Sequence, residues 1–263
     1  MSLREGPILS EASPHRSFDE LVDEALSEPI EGWDFSFLRG RTEEQPIPWS
    51  YQDIARSLVA QARRVLDVDT GGGEMFSSLR PTQGSVAVEP YHSNVAVAAR
   101  RLDPLGVRVV ERTDETLPVG DGLFDLVLNR HGYLHATETR RVLALGGRLL
   151  TQQVGARNDV EFNEALGIPP AVDPTLPFTL EKVVADLESA GFVTTDGRKA
   201  VIVTRYLDIG AMIFQLRAVP WQAPGFDAVR HRQQLRRIHD QIVNTGWFEV
   251  RSQRFLVQAQ RLK

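Results

Sequence analysis

The chain has no cysteine, so disulfides and thiolate metal sites are excluded. Lysine is nearly absent: 3 of the 30 basic residues are Lys and the other 27 are Arg. Acids outnumber bases, with a net charge of −5 and no basic run. Such a balance argues against a nucleic-acid substrate. No apolar stretch is long enough for a membrane span. Met1 to Ser17 lacks the apolar core of a signal peptide. The expectation is therefore a soluble, cytoplasmic protein with no membrane or nucleic-acid partner. Internal repeats and low-complexity tracts are missing too. The six histidines form no compact set with acids, so no metal site is expected.

What is present is a buried strand, Val65-Leu66-Asp67-Val68, running into Asp69-Thr70-Gly71-Gly72-Gly73-Glu74. It is answered 18 residues after Gly71 by Val86-Ala87-Val88-Glu89-Pro90. Glycines after a strand let backbone approach a ligand closely. An acid ending the second strand is placed to accept both hydroxyls of a ribose. The dinucleotide pattern G-x-G-x-x-G fails because Phe76 stands at its third glycine. The P-loop pattern fails because no Lys lies near. The loop reads as a site for a nucleoside without a pyrophosphate.

These residues resemble the first motif of the class I S-adenosylmethionine-dependent methyltransferases, D/E-x-G-x-G-x-G. The match holds at Asp67, Gly71 and Gly73, with Asp69 replacing the first glycine. Thr113-Asp114-Glu115-Thr116-Leu117-Pro118 before Asp121-Gly122-Leu123-Phe124-Asp125 is similar to the family's D-A-E-x-L-P…D-x-x-F-D. Arg140-Arg141-Val142-Leu143-Ala144-Leu145-Gly146-Gly147 is similar to R-V-L-x-P-G-G, with Leu145 where proline is common. The resemblance covers about residues 60–205. It implies an S-adenosylmethionine-dependent methyltransferase (EC 2.1.1.-); the acidic chain and an insertion placed as a lid point to a small-molecule acceptor. A non-catalytic cofactor-binding or regulatory protein and an RNA or protein methyltransferase are the alternatives.

The implied fold is α/β: a doubly wound, seven-stranded Rossmann-like sheet with an N-terminal helical cap and an insertion between the last two strands. The divisions are 1–60 (cap), 61–207 (cofactor domain), 208–244 (lid or insertion) and 245–263 (last strand). Ser17-x-x-Glu20 reads as a capping box and Ser50-x-x-Asp53 as a second helix start. Strands are expected near 64–68, 85–89, 107–111, 123–128, 147–153, 199–205 and 247–259. Helices are expected near 73–80, 91–102, 136–144 and 179–190. Leu235, Ile238 and Ile242 point to a helix inside the insertion, which either closes over the acceptor or forms a homodimer interface.

For the cofactor, the resemblance implies Asp67, Asp69, Gly71, Gly72, Gly73, Glu89 and Pro90. Thr113, Asp114 and Glu115 belong to its adenine segment, where either Thr113 or Asp114 meets the adenine amine. Asn129, Arg130 and His131 follow strand four, where ligands of open α/β sheets lie. His131 is the one general-base candidate; packing against the cofactor is its other reading. His135 and Trp221 are substrate candidates, and His135 alternatively just starts a helix. Gln152 and Gln153 end strand five as possible substrate contacts. Trp33, Trp49, Tyr51 and Trp221 are candidates for an aromatic enclosure around a sulfonium. Arg230, Arg232, Arg236 and Arg237, with His231 and His239, form a basic cluster that either draws an anion or is a solvated helix face.

Overall fold

Two serine caps set the helices that open the chain. The protein's structure is a computed structural model, and it describes residues 16–30, 34–170 and 178–262. Ser17 accepts from the Glu20 amide at 3.3 Å, and Glu20 returns a 2.8 Å bond to the Ser17 amide, which starts α1 (Phe18–Ser27). Ser50 accepts from the Asp53 amide at 3.1 Å and starts α2 (Tyr51–Val59). Such caps satisfy orphan amides of the first turn.

The described residues form one sheet of eight strands: β1 (Thr42–Glu44), β2 (Val65–Val68), β3 (Val86–Glu89), β4 (Arg108–Glu111), β5 (Phe124–Arg130), β6 (Leu143–Val154), β7 (Phe192–Tyr206) and β8 (Phe248–Arg261). Their spatial order is β1-β7-β8-β6-β5-β2-β3-β4. Strands β4, β3, β2, β5 and β6 are mutually parallel; β8, β7 and β1 add antiparallel pairs. The chain winds outward from β2 to β4, then returns to β5 on the other side of β2. That reversal opens a crevice beyond the carboxyl ends of β2 and β5.

The eighth strand, β1, corrects the expected count of seven. Its three residues gave no alternating pattern to read, and the pairing of Thr42 with Tyr206 makes it a strand. Strand β7 starts at Phe192, earlier than expected, because its polar first half is held by pairing along all of β8, from Phe192–Arg261 to Tyr206–Phe248.

Helices α3 (Glu74–Ser78) and α4 (His92–Leu102) join α2 on one face of the sheet, around Val65, Leu126, Leu128, Leu150 and Leu256. The opposite face carries α5 (Ala136–Val142) and α7 (Leu180–Ser189). A third core lies off the sheet. There α1, α6 (Val160–Leu166), α8 (Ile209–Ala218) and α9 (Arg232–Thr245) bury Leu21, Phe162, Met212, Leu235 and Ile238 against the far ends of β7 and β8. The first sixty residues thus divide: α1 joins this helical cap, while α2 joins the sheet. Gly210 permits the close approach of α8 to α1, since a Cβ there would stand 2.8 Å from the Leu21 carbonyl. Arg41 ties the junction by gripping Asp208 at 2.6 and 2.8 Å and Glu24 at 2.9 Å.

Two members of the basic cluster pack onto α1. Arg232 and Arg236 both reach Asp19 and lie over the Phe18 ring at 5.1 and 4.2 Å. Among the described residues no helix is long and apolar enough to cross a membrane.

Candidate functional site

The site begins where β2 stops. The backbone turns left-handed at Asp69, Gly71 and Gly73, with φ of 59°, 63° and 79°. Asp is among the few non-glycine residues that tolerate this region, so the turn survives at the position where the resemblance expects glycine. At Gly73 a Cβ would also come within 3.0 Å of the Leu102 side chain. Phe76 is fully buried beneath the loop, as a core residue.

Glu89 ends β3 and is buried. One carboxylate oxygen accepts from the Gly71 amide at 2.7 Å; the other accepts from the Tyr91 amide at 3.0 Å and from Asn94 at 3.3 Å. Burial raises its pKa, and the two amides and Asn94 pull it back. Asp67, on β2, is pushed up to about 7 by burial and by the charges of Asp69 and Glu89, with Thr70 and Arg130 opposing. The Tyr51 hydroxyl is buried with no well-formed hydrogen bond. Burial and Asp67 raise its pKa. These acids are not arranged to hold metal: among the described residues no group of three or more His, Cys, Asp or Glu is disposed around a common point.

Asp69 makes a clasp across the crevice. Its carboxylate accepts from the Tyr133 amide at 2.7 Å and pairs with Arg112 at 3.1 Å, both side chains of the pair being largely buried. Arg112 also donates to the Asp114 carbonyl at 2.8 Å and lies 5.2 Å from the centre of the Tyr133 ring. Gly132 must be glycine here, because a Cβ would stand 2.6 Å from that of Asp69. Beneath the clasp, Val68, Glu115, Asn129, Tyr133 and His135 line a cavity of only about 10 Å³. Sequence reasoning missed Arg112 and Tyr133. The one signal for them was Asp69 itself, a carboxylate in a glycine's place that needs a partner.

The adenine segment is open to solvent. The Asp114 carboxylate is turned onto its own loop, taking the Thr116 amide at 2.8 Å and the Thr116 hydroxyl at 2.5 Å, which lower its pKa. Thr113 and Glu115 are exposed beside it. His135 caps α5, accepting from the Glu138 amide at 3.3 Å. It also lines a separate groove of about 370 Å³ with Leu134, Phe178 and Val183.

At the other end of the edge, Trp49 donates to the Gln152 side-chain oxygen at 2.8 Å, and the Gln152 amide nitrogen stands 3.1 Å from His131 Nε2. His131 has φ 60° and donates its own amide to the Gln152 backbone at 2.8 Å. Crowding, Arg130 and Arg254 hold its ring well below the ordinary histidine pKa, although more than a third of the residue stays open to solvent. A ring so held is neutral at pH 7 and a weak proton acceptor. On the opposite sheet face, Gln153 bonds Asn129 and the Thr151 hydroxyl, a buried network that fixes the β5–β6 ends. Trp221 sits half-exposed on the cap, and Trp33 lies outside the described residues.

The residues fit a cationic adenosyl cofactor at two points. Glu89 keeps a free lone pair on at least one oxygen for a ribose hydroxyl, and three carboxylates face one crevice. The clasp between Asp69 and Arg112 must part for the remainder.

Residues 66–153 match the family model described as a methyltransferase domain. No curated protein matches the chain. Among solved structures, it is similar to a candidate methyltransferase of Bacillus halodurans C-125, at 19% identity over 82% of this chain and 100% of that one, with a TM-score of 0.59. A candidate sarcosine dimethylglycine methyltransferase of Galdieria sulphuraria is 13% identical over 81% and 85%, with a TM-score of 0.52. The [4+2]-cyclase SpnF is 18% identical over 80% of each chain, with a TM-score of 0.50. At such identities the likeness concerns the fold, and the cyclase's name attaches a different reaction to it. Residues 66–153 thus carry a methyltransferase domain, in a chain whose fold is shared with these solved structures.

Proposed function

We propose that the protein binds S-adenosylmethionine and transfers its methyl group to a small-molecule acceptor. The observation that carries this is Glu89: a buried acid at the end of β3, anchored by the Gly71 amide of the glycine loop. When bound, the cofactor supplies a methyl group on a positively charged sulfur. Glu89 holds the ribose hydroxyls. Asp67 provides negative charge toward the cation, which steadies it in a partly desolvated crevice, while Asp69 stays paired with Arg112. Tyr51 and Trp49 border the crevice and exclude water. Neutral His131 packs at its rim and serves better as a hydrogen-bond acceptor than as a base. The net charge of −5 favours a small acceptor over nucleic acid.

The clasp at Asp69 favours a second reading, a cofactor-binding protein without turnover. Calorimetry with S-adenosylhomocysteine, S-adenosylmethionine and NAD tests the primary one. The expected result is binding of the first two and none of NAD. Binding of NAD alone would reject it, and binding of S-adenosylmethionine with no methyl loss to any acceptor of a broad panel would favour the second reading.

A further inference from the structure

Charge changes sign along the carboxyl edge of the sheet. Beyond β2 and β3 stand Asp67, Asp69 and Glu89. Arg130 ends β5, and Arg254 lies on β8 opposite Val154 at the end of β6. Register puts these two on one face: Arg130 pairs with Gln152, Gln152 with Leu256, and Val154 with Arg254. Side chains two residues apart on a strand share a face. The apolar ladder of Leu128, Leu150 and Leu256 under α2 therefore continues outward as Arg130, Gln152 and Arg254, with Trp49 and Tyr51 alongside.

Neither arginine has an acid. Among the described residues no carboxylate lies within 4.0 Å of either, while Arg41, Arg112 and Arg141 all have one. Arg130 is exposed and lies 6.0 Å from the centre of the Tyr51 ring. Arg254 is partly buried and donates only to neutral oxygens, Asn158 Oδ1 and its neighbour Gln253's carbonyl at 3.0 Å. The acid that could have served it, Asp159, is committed elsewhere: it accepts from the Ser252 hydroxyl at 2.5 Å and from Asn158 and Gln222, both at 2.6 Å. Two unpaired guanidinium groups in an acidic chain leave several N–H donors arranged for planar, bidentate recognition of an oxyanion.

We propose that Arg130 and Arg254 anchor an anionic acceptor, a small molecule whose carboxylate or phosphate lies between them beside Gln152 and Trp49. The word acceptor rests on the methyltransferase reading; the anion site does not. Burial lowers the Arg254 pKa, the more distant charges of Asp159 and Glu44 oppose it, and Arg130 adds to the lowering. Neutral His131 adds no third positive charge and leaves its Nε2 to the Gln152 amide.

The test uses the full chain and four probes: acetate, benzoate, inorganic phosphate and, as neutral control, benzamide. Each is titrated by calorimetry or NMR with and without S-adenosylhomocysteine. At least one anion should bind tenfold or more tighter than benzamide, and that preference should vanish in the Arg130→Gln/Arg254→Gln double variant. Benzoate ahead of phosphate assigns a carboxylate acceptor; the reverse assigns a phosphorylated one. If no anion exceeds benzamide, or the double variant binds anions as the parent does, the proposal is overturned. Should the double variant unfold, Arg254→Lys replaces it. That change keeps the charge but loses the fork, and is expected to weaken the best anion severalfold. An unchanged affinity there would equally overturn the proposal. Anion binding without S-adenosylhomocysteine binding would sink the methyltransferase reading and leave the anion site standing.

Discussion

The parallel and antiparallel halves of the one sheet place their functional residues by different means. In the parallel half, β2, β3 and β4 have four residues each, and the turns at their carboxyl ends make the site. A loop of left-handed residues and one strand-ending acid bring Asp67, Asp69 and Glu89 together over 23 positions of sequence. In the antiparallel half, β7 and β8 have 15 and 14 residues and span roughly 45 Å at about 3.3 Å per residue. They carry α8 and α9 into a cap with its own core. Arg130, at the end of parallel β5, shares a face with Arg254 only because β8 returns beside β6. The acidic group is local to the parallel half; the two arginines, one on parallel β5 and one on antiparallel β8, are brought to one face non-locally. A cleft built this way sets three carboxylates at one end of the crevice and two arginines at the other.

The largest expected effect lies on the acidic side. If Glu89 holds a ribose as proposed, Glu89→Ala removes two charge-assisted bonds, roughly 1.5–3 kcal/mol each. S-adenosylhomocysteine affinity measured by calorimetry should fall at least tenfold. An unchanged dissociation constant would reduce Glu89 to a brace for the Gly71 amide.

On the other side, Leu235→Ala opens a cavity in the cap core, where Leu235 is fully buried. Urea unfolding should record a loss of about 2–5 kcal/mol, while cofactor affinity of the folded protein stays within twofold. A parallel loss of cofactor affinity would mean the two halves are not independent.

A pH titration sharpens the contrast further. The folded pKa of Asp67, about 7, lies above its unfolded value of about 3.9. Between these values the folded state binds the extra proton, so this group's contribution to stability declines as pH rises from about 4 through 7. Ionised Asp67 attracts a cationic ligand, so affinity for S-adenosylmethionine should rise severalfold from pH 6 to pH 8. Asp67→Asn should flatten that rise; a profile identical to the parent's would locate the titration elsewhere.

The smallest effect concerns the clasp. Asp69→Gly restores the family's residue at a left-handed position and frees Arg112. Cofactor affinity should tighten about threefold, roughly 0.6 kcal/mol. Weaker binding would show that Asp69 contacts the cofactor directly instead of closing the crevice.

Local patterns in the chain were enough to make the doubly wound core, the turn at 69–73 and the placing of Glu89 legible. These depend on local rules: apolar strand runs, glycines at positive φ, serine caps and short connections. Their residues lie near one another along the chain, so spacing alone brought them together. The rest came from contacts between distant segments. Arg112 and Tyr133 acquire meaning because the ends of β4 and β5 both approach the Asp69 carboxylate. Arg232 and Arg236 of α9, which read more readily as a solvated helix face than as an anion patch, are partners of Asp19 on α1, more than 200 residues away. Arg130 and Arg254 are 124 positions apart, and their shared face comes from the register of β5, β6 and β8. Strand pairing across such separations is set by packing of the whole sheet, and a side-chain period of two residues carries no record of which distant strand will lie alongside.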